Sequence, residues 1–197
     1  MMVESMRLMS AKPFVLGIAG GSGSGKSTLC KQIVSMLADR NVVVMPMDHY
    51  FLRDCPQMVG PVNGQVYIDH NSPASFDLLG LIDDLDAHLC AGSAHVIIVE
   101  GLMVLQHAPL RRRLDLGVFI DAPADERIVR RLKRDMARGR TYDWTAEFYL
   151  ESVRHRHNEF VEPSRWHADL VLNGTHPSER GLAAITDWVL GHSGPEA

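Results

Sequence analysis

Gly20 is followed, after four residues, by Gly25, Lys26 and Ser27 in the stretch GGSGSGKST, and four of the six residues from Gly20 to Gly25 are glycine. Glycine loses more conformational freedom on folding than any other residue, so such a cluster marks a backbone that takes positive φ or lies close against something. The spacing is that of the phosphate-binding pattern G-x-x-x-x-G-K-[ST]. A loop of this kind turns backbone N–H groups and a helix N-terminus toward one point, which suits a polyphosphate. Gly20, Gly21, Ser22, Gly23, Ser24, Gly25, Lys26, Ser27 and Thr28 are therefore candidate contacts to ATP. Lys26 is placed to reach the outer phosphates, and the Ser27 hydroxyl to ligate Mg²⁺.

Two carboxylates close apolar runs, Asp48 after NVVVMPMD and Glu100 after HVIIV. Ligands of open parallel sheets lie beyond the carboxyl ends of the strands, which is where such residues would stand. A phosphoryl-transfer site needs a group to orient or deprotonate the acceptor hydroxyl, oxygen ligands for the metal, and cations for the transferring charge. Asp48 and Lys26 are candidate catalytic residues, and Ser27, Glu100 and Asp48 are candidate Mg²⁺ ligands. The competing reading of Asp48 is a turn cap. His49 and Tyr50, next in the chain, either touch an acceptor or simply begin the following loop.

Between Arg127 and Arg140 the chain reads RIVRRLKRDMARGR, with seven basic residues and one acid. On a helix Arg127, Arg131, Arg134 and Arg138 fall on one face. A charge run is commonly a solvated surface, but beside a phosphate loop in an acidic chain it also fits a lid closing over phosphates. Without interleaved aromatics it gives little expectation of nucleic-acid binding.

The strands that would carry these residues show as apolar runs rich in β-branched residues: FVLGIAG, NVVVMPMD, HVIIVEG, LGVFIDA and DLVLNG. Helical patterns lie between most of them. Continuous apolar strands with helical crossovers predict an α/β, three-layer P-loop NTPase fold: a five-stranded parallel sheet with helices on both faces and an arginine-bearing lid. A single domain over residues 13–192 is expected, with the lid at about 127–145 and flexible ends at 1–12 and 193–197. The Pro- and Gly-rich stretch from Arg53 to Ser72 reads as a long irregular loop over the site.

The chain has 197 residues, 46% hydrophobic and 22% charged, with a formal net charge of −4, which gives no reason to expect broad attraction to nucleic acid or membrane. Cys30, Cys55 and Cys90 are odd in number and lack a CxxC pair, which fits reduced thiols and a cytoplasmic protein. The longest apolar run, around VIIVEGLMVL, is broken by Glu100 and too short to span a bilayer. Nor do the ten histidines form a metal pattern; His155 and His157 read as surface or packing residues.

The ordered set GIAGGSGSGKST, MDHYF, SPASFD, VIIVEG, FIDAPADERIVRRLKRDMARGR and FVEPSRWHADLVLNG resembles the uridine kinase and phosphoribulokinase family over most of the chain. The resemblance implies ATP- and Mg²⁺-dependent transfer to a hydroxyl of a small molecule, with the aspartate at position 48 acting as base. It also implies that Arg131, Arg134, Arg138 and Arg140 divide between acceptor and ATP phosphates, Arg134 and Arg138 toward the nucleotide, with Arg134 catalytic, and Arg131 and Arg140 toward the acceptor.

Three departures concern the acceptor side. The pyrimidine-binding β-hairpin that the family places between the second helix and the third strand looks missing, because LLGLIDDLDAHLCAGSAH leaves room only for a helix. Phe148 stands where uridine kinases carry a uracil-reading glutamine. The ribose-binding aspartate aligns with Asp69 if DH is matched and with Asn71 if the Pro73–Asp77 end is matched; Asp69 is preferred, since a carboxylate accepts from two sugar hydroxyls. The expected acceptor is a nucleoside such as uridine or cytidine, with nicotinamide riboside, pantothenate or a sugar as alternatives. A nucleotide-dependent switch is the alternative of another class, although no N-K-x-D motif is present. No nucleic-acid or membrane partner is expected, and a homo-oligomer is open.

Overall fold

Residues 12–176 and 178–193 are described by a computed structural model, so the expectations for residues 1–11 and 194–197 lie outside the described residues. Among the described residues seven strands form: β1 (Phe14–Gly20), β2 (Val42–Pro46), β3 (Gln57–Val59), β4 (Val66–Ile68), β5 (Val96–Glu100), β6 (Leu116–Asp121) and β7 (Leu170–Asn173). The five apolar runs make one sheet in the order β2-β5-β1-β6-β7, and every pairing in it is parallel.

Side-chain alternation along β1 separates two cores. Phe14, Leu16 and Ile18 join Leu29, Cys30, Ile33, Ile185 and Val189 on one face, under α1 (Lys26–Met36) and the carboxyl-terminal helix α8 (Glu179–His192). Val15 and Ala19 face Leu81, Ile82 and Leu85 of α2 (Leu78–Ala91) on the other. Leu16, Ile18 and Ile33 are completely buried; each such aliphatic side chain contributes about 1.5–3 kcal/mol relative to exposure. Helices on both faces explain why the strands read as unbroken apolar runs. The helix expected in LLGLIDDLDAHLCAGSAH is α2, whose amino end is capped by Asp77 accepting from the Gly80 N–H.

The chain between Arg53 and Ser72 is not an irregular loop. Antiparallel β3 and β4 make a hairpin there, with Gln57 opposite Ile68 and Val59 opposite Val66. A hairpin is thus present, between β2 and α2 instead of after α2. Strands of three residues are too short for a periodic signal, and Pro56, Gly60, Pro61 and Gly64 dominate the local pattern. Gly64, with φ +69°, closes the turn by donating to the Gly60 carbonyl at 3.0 Å.

After the short α3 (Ala108–Arg111), the basic run forms α4 (Ala124–Ala137), followed by α5 (Tyr142–Phe148). Helical structure continues through π-helical segments Tyr149–Val153 and His157–Val161, which alternate with the short α6 (Arg154–Arg156) and α7 (Glu162–Ser164). The first π segment buries Glu151, whose Oε2 accepts from the hairpin-turn N–H groups of Val62 at 2.9 Å and Asn63 at 3.3 Å. The Tyr67 hydroxyl and the Asn63 amide both donate to Glu147 Oε1. The hairpin is therefore tied to the helix that carries Phe148. Glu151→Ala orphans two N–H groups and is expected to lower unfolding free energy by about 2–3 kcal/mol, measured by the denaturant midpoint; a change within about 0.5 kcal/mol would mean the tie is solvated.

Candidate active site

The phosphate loop follows β1 directly. Gly20, Gly23 and Gly25 adopt φ of 141°, 84° and 107°, conformations that side chains rarely enter, and a Cβ on Gly20 would come within 2.5 Å of the Ile120 carbonyl oxygen. Gly25 leads into α1, whose first residues Lys26, Ser27 and Thr28 stand at the mouth of a cavity of about 970 Å³. Ser22, Gly23, Ser24 and Gly25 line it as well, along with Asp48, Glu100 and the helix α4 arginines.

The chemistry-bearing groups converge at one end. Ser27 Oγ donates to Glu100 Oε1 at 3.0 Å, and Lys26 Nζ donates to the Gly21 carbonyl at 3.1 Å. Burial holds the Lys26 ammonium below its ordinary pKa, against the opposing pull of Glu100 and Asp48. Asp48 sits on the single 3₁₀ turn Met47–Tyr50 that follows β2, with its side chain exposed to the cavity. Among the described residues no hydrogen bond or ion pair holds its carboxylate, which goes against the capping reading. The ends of β2, β5 and β1 lie side by side in the sheet, and this adjacency brings Asp48, Glu100 and the loop together.

The arginines divide differently from their spacing. Arg131, Arg134, Arg138 and Arg140 all line the cavity. Arg131 Nη1 donates to Ser22 Oγ at 3.0 Å, and Asp135, the one acid of the run, lies 3.3 Å from Arg131 Nε and accepts from Arg134 Nε at 2.8 Å. Arg140 stacks over Trp144 at 4.0 Å. Arg127, on the same predicted face, is not part of the cavity wall; it is buried with Nε donating to the Ala122 carbonyl.

On the acceptor side the structure separates the two aligned candidates. Asp69 is buried and off the cavity wall, its Oδ2 accepting from Arg156 Nε at 2.7 Å and its Oδ1 from the Asn71 N–H at 2.9 Å. Asn71 lines the cavity, with its buried amide nitrogen unpartnered. Arg156, 87 residues away in the chain, pairs with the Asp69 carboxylate, whereas Asn71 faces the cavity. His49 is exposed, and neither it nor Tyr50 is on the cavity wall; Tyr50 donates to Asp84 Oδ2 at 2.8 Å. Phe148 is on the wall, stacked on Trp144 at 5.0 Å and close to Tyr67 at 5.8 Å. Phe51 and His70 form a further aromatic pair on the wall, with ring centroids 5.3 Å apart.

The opposite end of the cavity was not singled out from the sequence. Asn173, Gly174, Thr175, Ser178 and Glu179 line it, with Gln32 of α1. The signal was available, since Asn173 ends an apolar run as Asp48 and Glu100 do. Among the described residues no group of three or more His, Cys, Asp and Glu could hold a metal unaided. Ser27 with Glu100 and Asp48 instead fits a Mg²⁺ that arrives with nucleotide phosphates, because such an ion keeps several waters and takes only one or two protein oxygens. No helix among the described residues is long and apolar enough to cross a membrane.

Residues 67–178 match the Phosphoribulokinase / Uridine kinase family. A uridine kinase of Geobacillus kaustophilus (strain HTA426) is 36% identical over 187 residues, covering 83% of this chain and 87% of the relative. That of Deinococcus deserti is 36% identical over 184 residues, covering 82% and 87%. The solved phosphoribulokinase of Rhodobacter spheroides shares the fold at TM-score 0.59 and 14% identity, over 84% of this chain and 74% of that one. With the phosphate loop, the strand-end carboxylates and the arginine helix in place, this chain belongs to the phosphoribulokinase/uridine kinase family of ATP-dependent kinases and is a phosphotransferase acting on a hydroxyl group.

Proposed function

We propose that the chain transfers the γ-phosphoryl of ATP to a hydroxyl of a nucleoside, of which uridine and cytidine are the first to test. The observation that carries the reading is the convergence of Asp48, Lys26 and the Ser27–Glu100 pair at one end of the arginine-lined cavity. The relatives named uridine kinases support a nucleoside acceptor.

In this reading the loop from Gly20 to Thr28 holds the phosphates, with Lys26 leaving the Gly21 carbonyl for them as its charge becomes compensated. Mg²⁺, when bound with ATP, neutralises charge between the outer phosphates. Ser27 and Glu100, with Asp48 nearby, would hold it. Asp48 orients the acceptor hydroxyl and takes its proton, while Arg134 and Arg138 stabilise the transferring phosphoryl and Arg131 and Arg140 face the acceptor. Asn71, in place of Asp69, meets a sugar hydroxyl.

Phe148 gives the acceptor an aromatic wall where an amide would read uracil edges, so recognition rests on stacking more than on hydrogen bonds. Phe148→Ala is expected to raise the acceptor KM about tenfold while ATP KM moves less than about threefold; equal changes in both would assign Phe148 to the lid as a whole. The reading itself is tested by ADP release from Mg-ATP against nucleosides, nicotinamide riboside, pantothenate and sugars, with product mass and an acceptor-free control. Phosphorylated uridine or cytidine is expected. Transfer only to another acceptor class would overturn the nucleoside reading, and acceptor-independent hydrolysis alone would favour a nucleotide switch.

A further inference from the structure

Behind the phosphate loop, on the side away from the cavity, two nitrogen-bearing side chains press on Gly21. A Cβ built there would lie 2.6 Å from Arg127 Nη1 and 3.0 Å from His157 Cε1, so a side chain at this position, variable in the phosphate-loop pattern, would displace the Arg127 guanidinium. Arg127 and His157 are 4% and 7% exposed. Among the described residues Arg127 Nη1 and His157 Nδ1 have no hydrogen-bond partner, and neither does the fully buried Ser24 Oγ within the loop.

Arg127 is the unusual member. Among the described residues its guanidinium makes one hydrogen bond, from Nε to the Ala122 carbonyl, and no carboxylate lies within ion-pair distance of it. The nearby acids are engaged elsewhere: Asp121 with Arg165 at 3.2 Å, Glu126 with Arg130 at 2.8 Å, and Glu162 with His157 at 3.2 Å. A buried guanidinium without an anion is costly, and buried charges are retained when something compensates them. The adjacent site that receives negative charge is the phosphate loop itself: Arg127 Nη1 lies against Gly21, and neither residue lines the cavity.

We propose that Arg127 is a positioning residue for the polyphosphate: it braces Gly21 from behind and supplies, through that peptide, an uncompensated positive charge that the bound phosphates neutralise. His157 completes the brace without adding charge, anchored through Glu162 of the FVEPS segment. This accounts for a motif that the acceptor and nucleotide contacts leave unused. The inference rests on the reading of the loop as a polyphosphate site.

The test is equilibrium binding of AMP, ADP, ATP and inorganic tripolyphosphate to the full chain, as wild type, Arg127→Met and Arg127→Lys, with thermal melting of each. Arg127→Met is expected to weaken ATP and tripolyphosphate by about tenfold to a hundredfold, ADP by less and AMP least, because the lost attraction scales with ligand charge. Arg127→Lys keeps the charge and is expected to stay within about threefold of wild type for every ligand. A uniform loss across the series, or no loss, in Arg127→Met overturns the proposal. If Arg127→Met does not fold, the ratio of ATP to AMP affinity decides it: preserved in Arg127→Lys it supports the charge role, collapsed it overturns it. Wild-type protein that binds neither tripolyphosphate nor ATP would instead remove the polyphosphate reading on which the inference stands.

Discussion

Asp48→Asn is expected to lower turnover about a thousandfold while leaving ATP affinity within about threefold of wild type. The substitution keeps the shape of the side chain and removes its capacity to take a proton. Among the described residues Asp48 makes no structural hydrogen bond that the amide would lose, so stability should move little. Its carboxylate is one of the two that hold up the pKa of Lys26, and losing that support is compensated once phosphates reach the ammonium. Glu100, hydrogen-bonded to Ser27, stays in place to serve the metal. Steady-state rates with the acceptor identified by the screen, together with ATP binding, separate the roles. Unchanged turnover would take Asp48 out of the chemistry, whereas loss of ATP binding with turnover per bound nucleotide preserved would make it a nucleotide or metal ligand.

The nucleotide half of this site was legible because its signals are local. A strand, a glycine loop and a helix are consecutive in the chain, and Asp48 and Glu100 each end a run whose apolar character marks it as a buried strand. Parallel order in the sheet then brings those ends together without further information. What was not legible depends on pairings across the sequence. Arg156 neutralises Asp69 over 87 residues, and Glu151 finds the turn at Val62 over 89, so neither could be read from spacing. The hairpin itself is held by contacts to α5 and the π segment after it, not by strand propensity. Arg127 shows the same limit for helix periodicity: it shares a face with Arg131 and Arg134, yet it lies nearer the start of α4, where that face meets the loop's back and not the cavity.

Acidification is expected to destabilise the fold through His157. Burial, with Arg127 and Lys26 adding repulsion, holds its pKa down from 6.5 to about 4, while Asp121 pulls weakly the other way. Glu162, in contact with Nε2, also favours the charged ring, but its side chain is 42% exposed and solvent weakens that pull. The carboxylate facing Nε2 favours the tautomer protonated there, and Nδ1 is buried without a partner among the described residues. Between pH 6.5 and about 4 the unfolded chain binds a proton that the folded chain refuses, so stability rises with pH across this window and is flat above it. The span corresponds to at most roughly 3 to 4 kcal/mol. Denaturant unfolding of wild type and His157→Gln at pH 7, 6, 5 and 4.5 isolates the effect, since the other titrating groups are common to both. A steeper fall in the wild type is expected, and parallel curves would mean that the folded protein accepts the proton. The direction follows from the surroundings of Gly21: Lys26 and Arg127 already bring two cations there, and burial together with their repulsion outweighs the pull of Asp121 and the exposed Glu162 on a third positive charge.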